Sequence, residues 1–359
     1  MSFSESSLTE IDTPAVLVDL DIAKRNIERF QKYADAHGLH VRPHIKTHKL
    51  PAVAEMQLSA GAIGITCQKV SEAEAMVDGS SVIRDVLITY NIVGEAKLKR
   101  LRGLAQRVKL SVAADSRAVV DGLSAFFMET KNPLTVLVEC NTGANRCGVA
   151  SPAAAAELAV AIAGAPGLTF GGLMTYPPVG AEGAVEAFMR EAKETIESRG
   201  VSVRDISSGG TPSMMHAAEA PITTEYRPGT YVYNDRSLVS RGECDWDDCA
   251  LTVLATVVSV PASDRAIIDA GSKTLTSDLL GLSGYGHVLG RDDIAIDQLS
   301  EEHGRLISTG AIGLKVGDRV RIVPNHACVV TNMVDEVLVA GAKVSNPEYW
   351  KVAARGRIV

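Results

Sequence analysis

LTVLVECNTGANRCGVASPAAAAELAVAIAGAPGLTFGGLMT, residues 134–175, is the stretch from which the architecture follows. It opens on an apolar, β-branched run, LTVLVEC (134–140), and passes through a glycine-containing loop. An alanine-rich helical pattern, SPAAAAELAVAIAGAPG (151–167), leads into a second apolar run, LTFGGLMT (168–175). Strand, helix and strand in that order make a unit whose strands run parallel. The alternation continues outward on both sides. HVRPH (40–44), IGITC (63–67), DVLIT (85–89) and VKLSV (108–112) precede it, and VRDISS (203–208) and ITTEYR (222–227) follow. Between the runs lie helical patterns such as DIAKRNIERFQKYADAHG (21–38), EAKLKRLRGLAQR (95–107) and EGAVEAFMREAKETIESRG (182–200), several closed by glycine. Eight strand candidates alternating with helices predict an α/β fold, a (β/α)8 TIM-type barrel over residues 21–239.

Beyond residue 240 the texture changes. LTVLATVVSV, AIIDAG, DRVRIVP and EVLVAGAKV are β-branched runs separated by turn residues, with few helical periods. A second, mostly β domain is expected over residues 240–359, and AVLVDL (15–20) would pair into it, so that residues 1–20 belong with it.

Composition narrows the function. Of the 359 residues 46% are hydrophobic, and Lys+Arg 36 against Asp+Glu 43 leaves a formal charge of −7. No basic footprint is available for nucleic acid or an anionic membrane. The N-terminus lacks a basic region followed by an apolar core, and no apolar stretch approaches the roughly 20 residues a membrane span needs. A cytoplasmic protein acting on a small molecule is expected. The six cysteines contain no CxxC pair, so reduced thiols are the default.

In a barrel, functional groups collect where the strands end. RPHIKTHK (42–49) ends the first strand, and its Lys46 would be crowded by Arg42, His44 and Lys49, conditions that lower an ammonium pKa and free an amine for Schiff-base chemistry. A solvated basic loop is the plainer reading. SSGGTP (207–212) and RPGTY (227–231) follow the seventh and eighth strands, where barrels bind phosphate, although either alone reads as a turn. A lysine after strand one facing such a cradle is the arrangement of a pyridoxal phosphate barrel. Arg146, beyond Glu139 of the fifth strand, is a candidate for the cofactor's phenolic oxygen, and Tyr176, after the sixth, for its ring. In IVPNHACVVTN (322–332), His326 and Cys328 would share one face of a strand and could hold Zn²⁺ or Mn²⁺; a polar loop histidine beside a buried cysteine explains that spacing as well. His287 and His303 are further histidines of the β region, and DAGSKTLTSD (269–278) reads as a turn or ion pair.

Together RPHIKTHK, GITCQKVSEAE (64–74), VECNTGANRCGV (138–149), EYRPGTYVYND (225–235), LSEEHG (299–304) and PNHACVVTN resemble the D-threonine aldolase and D-serine dehydratase-like family of fold-type III pyridoxal phosphate enzymes, over nearly the whole chain. The resemblance implies a barrel of the alanine racemase N-terminal kind, a homodimer, pyridoxal 5'-phosphate and a divalent metal, Zn²⁺ or Mn²⁺ with Mg²⁺ a further option. It implies Lys46 as the Schiff-base lysine and catalytic residue. Arg146, Tyr176, Gly209, Gly210, Thr211, Gly229, Thr230 and Tyr231 become cofactor contacts, and His326, also catalytic, and Cys328 become metal ligands. Two departures stand out: Asn141 where the family usually carries Asp, and YPPVG (176–180) in place of a small, often histidine-containing loop.

The activity so implied is retro-aldol cleavage of D-3-hydroxy-amino acids to glycine and an aldehyde, that of a D-threonine aldolase. The alternative is a D-serine or D-3-hydroxyaspartate dehydratase giving an α-keto acid and ammonia, which a thiolate at the second ligand position favours. An amino-acid racemase, which needs a second base on the opposite face of the cofactor, ranks lower because Trp246, Tyr285, Tyr349 and Trp350 are weak candidates for it, and a non-catalytic pyridoxal phosphate-binding protein ranks lower because it gives the β domain and the His326/Cys328 pair no purpose.

Overall fold

The protein was analysed as a computed structural model, which describes residue 3, residues 8–341 and residues 344–359. Positions 1, 2, 4–7, 342 and 343, which the β-domain ranges 1–20 and 240–359 include, lie outside the described residues. In chain order the strands are β1 (Ala15–Asp19), β2 (His40–Val41), β3 (Ile65–Cys67), β4 (Asp85–Asn91), β5 (Lys109–Ala114), β6 (Leu134–Cys140), β7 (Leu168–Thr175), β8 (Asp205–Ser208) and β9 (Glu225–Tyr226). They continue with β10 (Leu251–Ala262), β11 (Arg265–Ile268), β12 (His287–Val288), β13 (Ile294–Leu299), β14 (Gly304–Ser308), β15 (Arg319–Val323), β16 (Glu336–Gly341) and β17 (Val344–Lys351). The longer helices are α1 (Leu20–Ala36), α2 (Pro51–Ser59), α3 (Val70–Gly79), α4 (Glu95–Ala105), α5 (Arg117–Phe127), α6 (Pro152–Gly164) and α7 (Glu182–Ser198). Two compact units result: one of Arg29–Lys46, Pro51–Gly229 and Arg357–Val359, the other of Met1–Glu28, Thr47–Leu50 and Thr230–Gly356.

The first unit holds an eight-stranded parallel sheet in the order β2-β9-β8-β7-β6-β5-β4-β3. A parallel bridge from His44 to Thr66 joins its two ends, supported by hydrogen bonds from Ile63 N to Val41 O (2.9 Å) and from Thr66 N to Pro43 O (2.8 Å). The eight alternations read from the sequence are therefore the barrel of the fold. Its strands are covered on both faces, which is why β6 and β7 are almost wholly buried and read as unbroken apolar runs. Leu87, Ala113, Leu137 and Met174, from four successive strands, pack as one buried cluster. Between β6 and β7, α6 starts where the Ser151 hydroxyl accepts the Ala154 N–H (3.2 Å) and Pro152 presets the first turn. Gly172 (φ +128°) lets β7 approach β8: a Cβ there would lie 2.0 Å from the Asp205 carbonyl oxygen.

The second unit is built on a nine-stranded sheet, β11-β14-β13-β12-β15-β10-β1-β16-β17. Pairing of β10 with β11 closes six of these strands into a ring. β10 serves three neighbours because it is 12 residues long and shifts register around Ser259, where the extra backbone bends it. β1 lies between β10, antiparallel, and β16, parallel. Phe3, Ile11, Leu17, Leu254, Leu338 and Ala340 form a core cluster of this unit. Among the described residues no helix is long and apolar enough to cross a membrane.

Candidate active site

Lys46 sits in a 3-10 turn, Ile45–Thr47, that follows β2, and it is half-buried. Its N–H donates to His44 Nδ1 (3.3 Å), and His44 Nε2 meets Gln68 Oε1 (3.1 Å), so the imidazole fixes the backbone that carries the lysine. The expected cationic crowding is much reduced. Arg42 is buried in an ion pair with Glu225 (Nε to Oε2, 2.7 Å) and Asp85 (2.5 Å), and Lys49, in the second unit, donates to Asn332 Oδ1 (2.8 Å) and Ala354 O (3.3 Å). Burial alone would lower the Arg42 pKa, but the two carboxylates outweigh it and the net shift is upward.

The interior network extends from Glu225 through the Ser207 hydroxyl to Arg227, whose second N–H group donates to Thr175 O (2.7 Å). Its polar chain links the ends of β2, β7, β8 and β9. On that end of the barrel the segments 209–211 and 227–229 are tied directly: Gly229 N donates to Thr211 Oγ1 (3.0 Å), and the Tyr226 hydroxyl donates to Gly210 O (2.8 Å). Gly210 has φ +142°, a conformation side chains rarely adopt, and Thr211 starts the 3-10 helix Thr211–Glu219. Backbone amides at such a start suit a phosphate group.

Arg146 and Tyr176 meet: the guanidinium carbon is 4.8 Å from the ring centroid, a cation–π contact. Both side chains remain largely exposed, and a Cβ on Gly210 would lie 3.8 Å from the Tyr176 ring. Arg146 also lies 3.9 Å from Glu139 Oε1. Burial raises the Glu139 pKa, and Arg146 and Arg227 offset part of that rise.

The second unit carries the other candidate residues. Its helices α8 (Arg236–Val239), α9 (Ser272–Leu275) and α10 (Ala327–Met333) are short. His326 and Cys328 do not alternate on a strand; His326 is the extended residue just before α10, and Cys328 lies in its first turn. The buried Asp235 carboxylate causes this by accepting the Ala327 N–H (3.0 Å) while also capping α8. The two residues are thus two positions apart at the start of one helix. The Cys328 thiol is bounded by the hydroxyls of Thr47 (3.0 Å) and Thr230 (3.5 Å), and His326 Nδ1 lies 2.6 Å from Asp278 Oδ2. Burial would lower the His326 pKa, but Cys328, Asp278 and Asp235 carry it up to about 9. Tyr231 is buried in the 3-10 turn Thr230–Val232.

Sequence reasoning missed Asp278 and Asp235. Asp278 closes a segment that read as a generic turn, with no periodic signal, whereas Asp235 carries the weak signal of a cap before a helical turn. His287 stacks on Trp246 and His303 lies exposed in a turn; among the described residues no group of three or more His, Cys, Asp or Glu is arranged to hold a metal ion.

Known proteins resemble this chain over nearly its whole length. Residues 18–237 match the alanine racemase N-terminal domain family, and residues 250–340 match the putative serine dehydratase domain family. The 3-hydroxy-D-aspartate aldolase of Paracoccus denitrificans (strain Pd 1222) is 35% identical, over 97% of this chain and 93% of the relative. The D-threonine aldolase of an Arthrobacter species is 33% identical, over 97% and 94%. Among solved structures, D-threonine aldolase from Filomicrobium marinum superposes with a TM-score of 0.90 at 32% identity, covering 98% of both chains. D-threo-3-hydroxyaspartate dehydratase from Delftia sp. HT23 gives 0.85 at 31%, covering 96% of this chain and 98% of that one, and a cysteine-to-alanine mutant of such a dehydratase has been solved in a metal-free form.

The fold is thus that of the alanine racemase-like proteins, a parallel barrel joined to an antiparallel β domain, and the chain is an enzyme of the lyase type. It belongs to the fold-type III pyridoxal phosphate family of D-threonine aldolase and D-serine dehydratase-like proteins.

Proposed function

We propose that this chain is a pyridoxal phosphate- and divalent-metal-dependent D-threonine aldolase, cleaving D-3-hydroxy-amino acids to glycine and an aldehyde. The observation that carries the reading is the Asp278 carboxylate held on His326 Nδ1, two residues before Cys328 in the first turn of α10. A carboxylate on Nδ1 keeps a proton there, so that a divalent metal would take the place of the proton on Nε2, a pattern typical of metal-binding histidines. Neither a racemase nor a cofactor carrier has use for such a pair.

In this reading Lys46 Nζ would hold the cofactor's aldehyde carbon, Gly209, Gly210, Thr211, Gly229 and Thr230 would hold its phosphate, Arg146 would donate to its phenolic oxygen, and Tyr176 and Tyr231 would be further contacts. The observed fit is the half-buried lysine turn and the amide-lined segments tied by Thr211. Pyridoxal phosphate supplies an electron sink for the bond broken at the substrate's α-carbon. His326 and Cys328 would hold a divalent ion, Zn²⁺ or Mn²⁺, which would supply polarisation of the 3-hydroxyl. Arg146, stacked on Tyr176, keeps its donors oriented; Asp278 keeps the His326 ring oriented. The active form is a homodimer, as the family resemblance implies, and sedimentation of the holoprotein tests this.

Dehydration of a D-3-hydroxy-amino acid is the second reading, favoured by the Cys328 thiol as ligand; there Lys46 Nζ takes the α-proton. Product analysis decides between them, with D-threonine, D-serine and D-3-hydroxyaspartate offered to the metal-loaded holoprotein with and without EDTA. Glycine plus an aldehyde, lost with EDTA, is expected; an α-keto acid with ammonia overturns the aldolase reading for the dehydratase, and turnover indifferent to EDTA overturns the metal.

A further inference from the structure

GITCQKVSEAE (64–74) carries part of the family resemblance, yet none of its residues enters the proposed chemistry. Gln68 lies there between β3 and α3. Its backbone is fixed by Glu72, whose buried carboxylate, in the first turn of that helix, accepts the Gln68 N–H (2.6 Å). Its side chain links β4 to the segment after β2: Nε2 donates to Thr89 O (3.0 Å), and Oε1 lies 3.1 Å from His44 Nε2. Each of these bonds leaves one choice. The Thr89 carbonyl can only accept, so the amide nitrogen faces it and the amide oxygen faces His44. That oxygen can only accept in turn, so the proton of the imidazole sits on Nε2, and the Lys46 N–H meets the lone pair of Nδ1 (3.3 Å). The other tautomer would set lone pair against lone pair at Gln68 and N–H against N–H at Lys46. The His44 backbone is held separately, because its N–H donates to Pro228 O (2.8 Å) and the residue bridges to Thr66. What Gln68 governs is therefore the ring.

We propose that Gln68 is a positioning residue for Lys46: it selects the Nε2-protonated imidazole of His44, whose Nδ1 then accepts the Lys46 N–H and holds the lysine in place. Hydrogen bonds made by one ring nitrogen decide what the other can do, and the Gln68 amide, itself oriented by Thr89, makes that decision here. A lysine that must hold a cofactor gains from a backbone that is already set, since the ordering cost is then not taken from binding. The consequence for the cofactor rests on the reading of Lys46 as the lysine that holds it; the state of the His44 ring does not.

The test uses the full-length holoprotein with nitrogen-15 in its histidine rings, read by NMR. Of the 8 histidines, His44 is identified by the signals missing from the His44→Asn variant. The expected result is a protonated Nε2 and an unprotonated, hydrogen-bonded Nδ1. Gln68→Met keeps the length of the side chain without its amide. It should spread the proton over both ring nitrogens and release pyridoxal phosphate up to about tenfold faster, the worth of one hydrogen bond. His44→Asn puts an amide oxygen where Nδ1 stands, so it should retain the cofactor as the unaltered protein does, and adding Gln68→Met to it should cost nothing further. A role for Gln68 in packing alone would cost the same in both backgrounds. A ring protonated on Nδ1 in the unaltered protein, an unchanged ring or unchanged cofactor release in Gln68→Met, or an equal cost of that substitution with and without His44→Asn, overturns the proposal. If Lys46→Ala keeps covalently held cofactor, the reading of Lys46 fails, and the ring signals still decide what Gln68 does to His44.

Discussion

His326 Nδ1 and Asp278 Oδ2 are 2.6 Å apart although 48 residues separate them in the chain. A carboxylate in that position fixes both the ring's orientation and the side of it that carries the proton, leaving the far nitrogen basic. Removing such a partner commonly costs about 10- to 100-fold in metal affinity. Asp278→Ala should therefore weaken Zn²⁺ or Mn²⁺ retention by that order, read as metal content after dialysis against graded chelator. Asp278→Asn, which keeps an acceptor oxygen, should recover part of the loss. Equal retention in all three proteins would remove Asp278 from a positioning role.

Lys46 gives a second, spectroscopic expectation. The turn that carries it is held by His44, so shortening the side chain should leave the barrel folded. Lys46→Ala should then bind pyridoxal phosphate only reversibly, losing the visible absorbance of covalently held cofactor on gel filtration and losing turnover with it. A variant that keeps that absorbance after filtration points to another lysine.

These expectations draw unequally on the sequence. The barrel was legible because strands covered on both faces read as apolar runs: LTVLVEC and LTFGGLMT coincide with β6 and β7. The two-residue strands β2 and β9 were legible only as parts of longer runs, since Arg42 and Glu225, which read as polar, pair with each other inside the protein. PNHACVVTN misled in one respect. Its Val-Val pair reads as strand, but the Asp235 carboxylate, far away in sequence, caps the Ala327 amide and starts a helix instead. The same holds for Asp278: a contact over 48 residues leaves no period in the chain for a reader to find. Arg146 and Tyr176 were each read as cofactor contacts, but their stacking on one another belongs to two loops and carries no pattern.

The pairing of Arg42 with Glu225 yields a stability prediction. Both side chains are 9% exposed, so each charge depends on its partner. Glu225→Ala leaves the guanidinium with Asp85 alone and frees the Ser207 hydroxyl from its acceptor. Loss of one member of a buried pair costs about 3–5 kcal/mol, and that decrease should appear in urea unfolding. Asp85 sits closer to solvent, so Asp85→Ala should cost clearly less. The reverse ranking would mean the interior pair is not what holds these strand ends.

Glu139 is the case in which a charge opposes folding. It is 4% exposed, and desolvation raises its pKa above the ordinary value of 4.5 despite Arg146 and Arg227. Between the ordinary and the raised value the native state binds more protons than the unfolded chain, so stability falls as pH rises through that window. Below pH 4.5 the carboxyl is protonated in both states and the penalty is absent; above the raised value it is present in full. Glu139→Gln keeps the shape and removes the titration. Urea midpoints measured across this range should show the variant gaining on the parent protein as pH rises from 4.5 and holding a constant lead at neutral pH. A constant difference at every pH would assign the effect to packing, and a variant that loses stability toward neutral pH would show that the arginines, not burial, dominate this carboxylate.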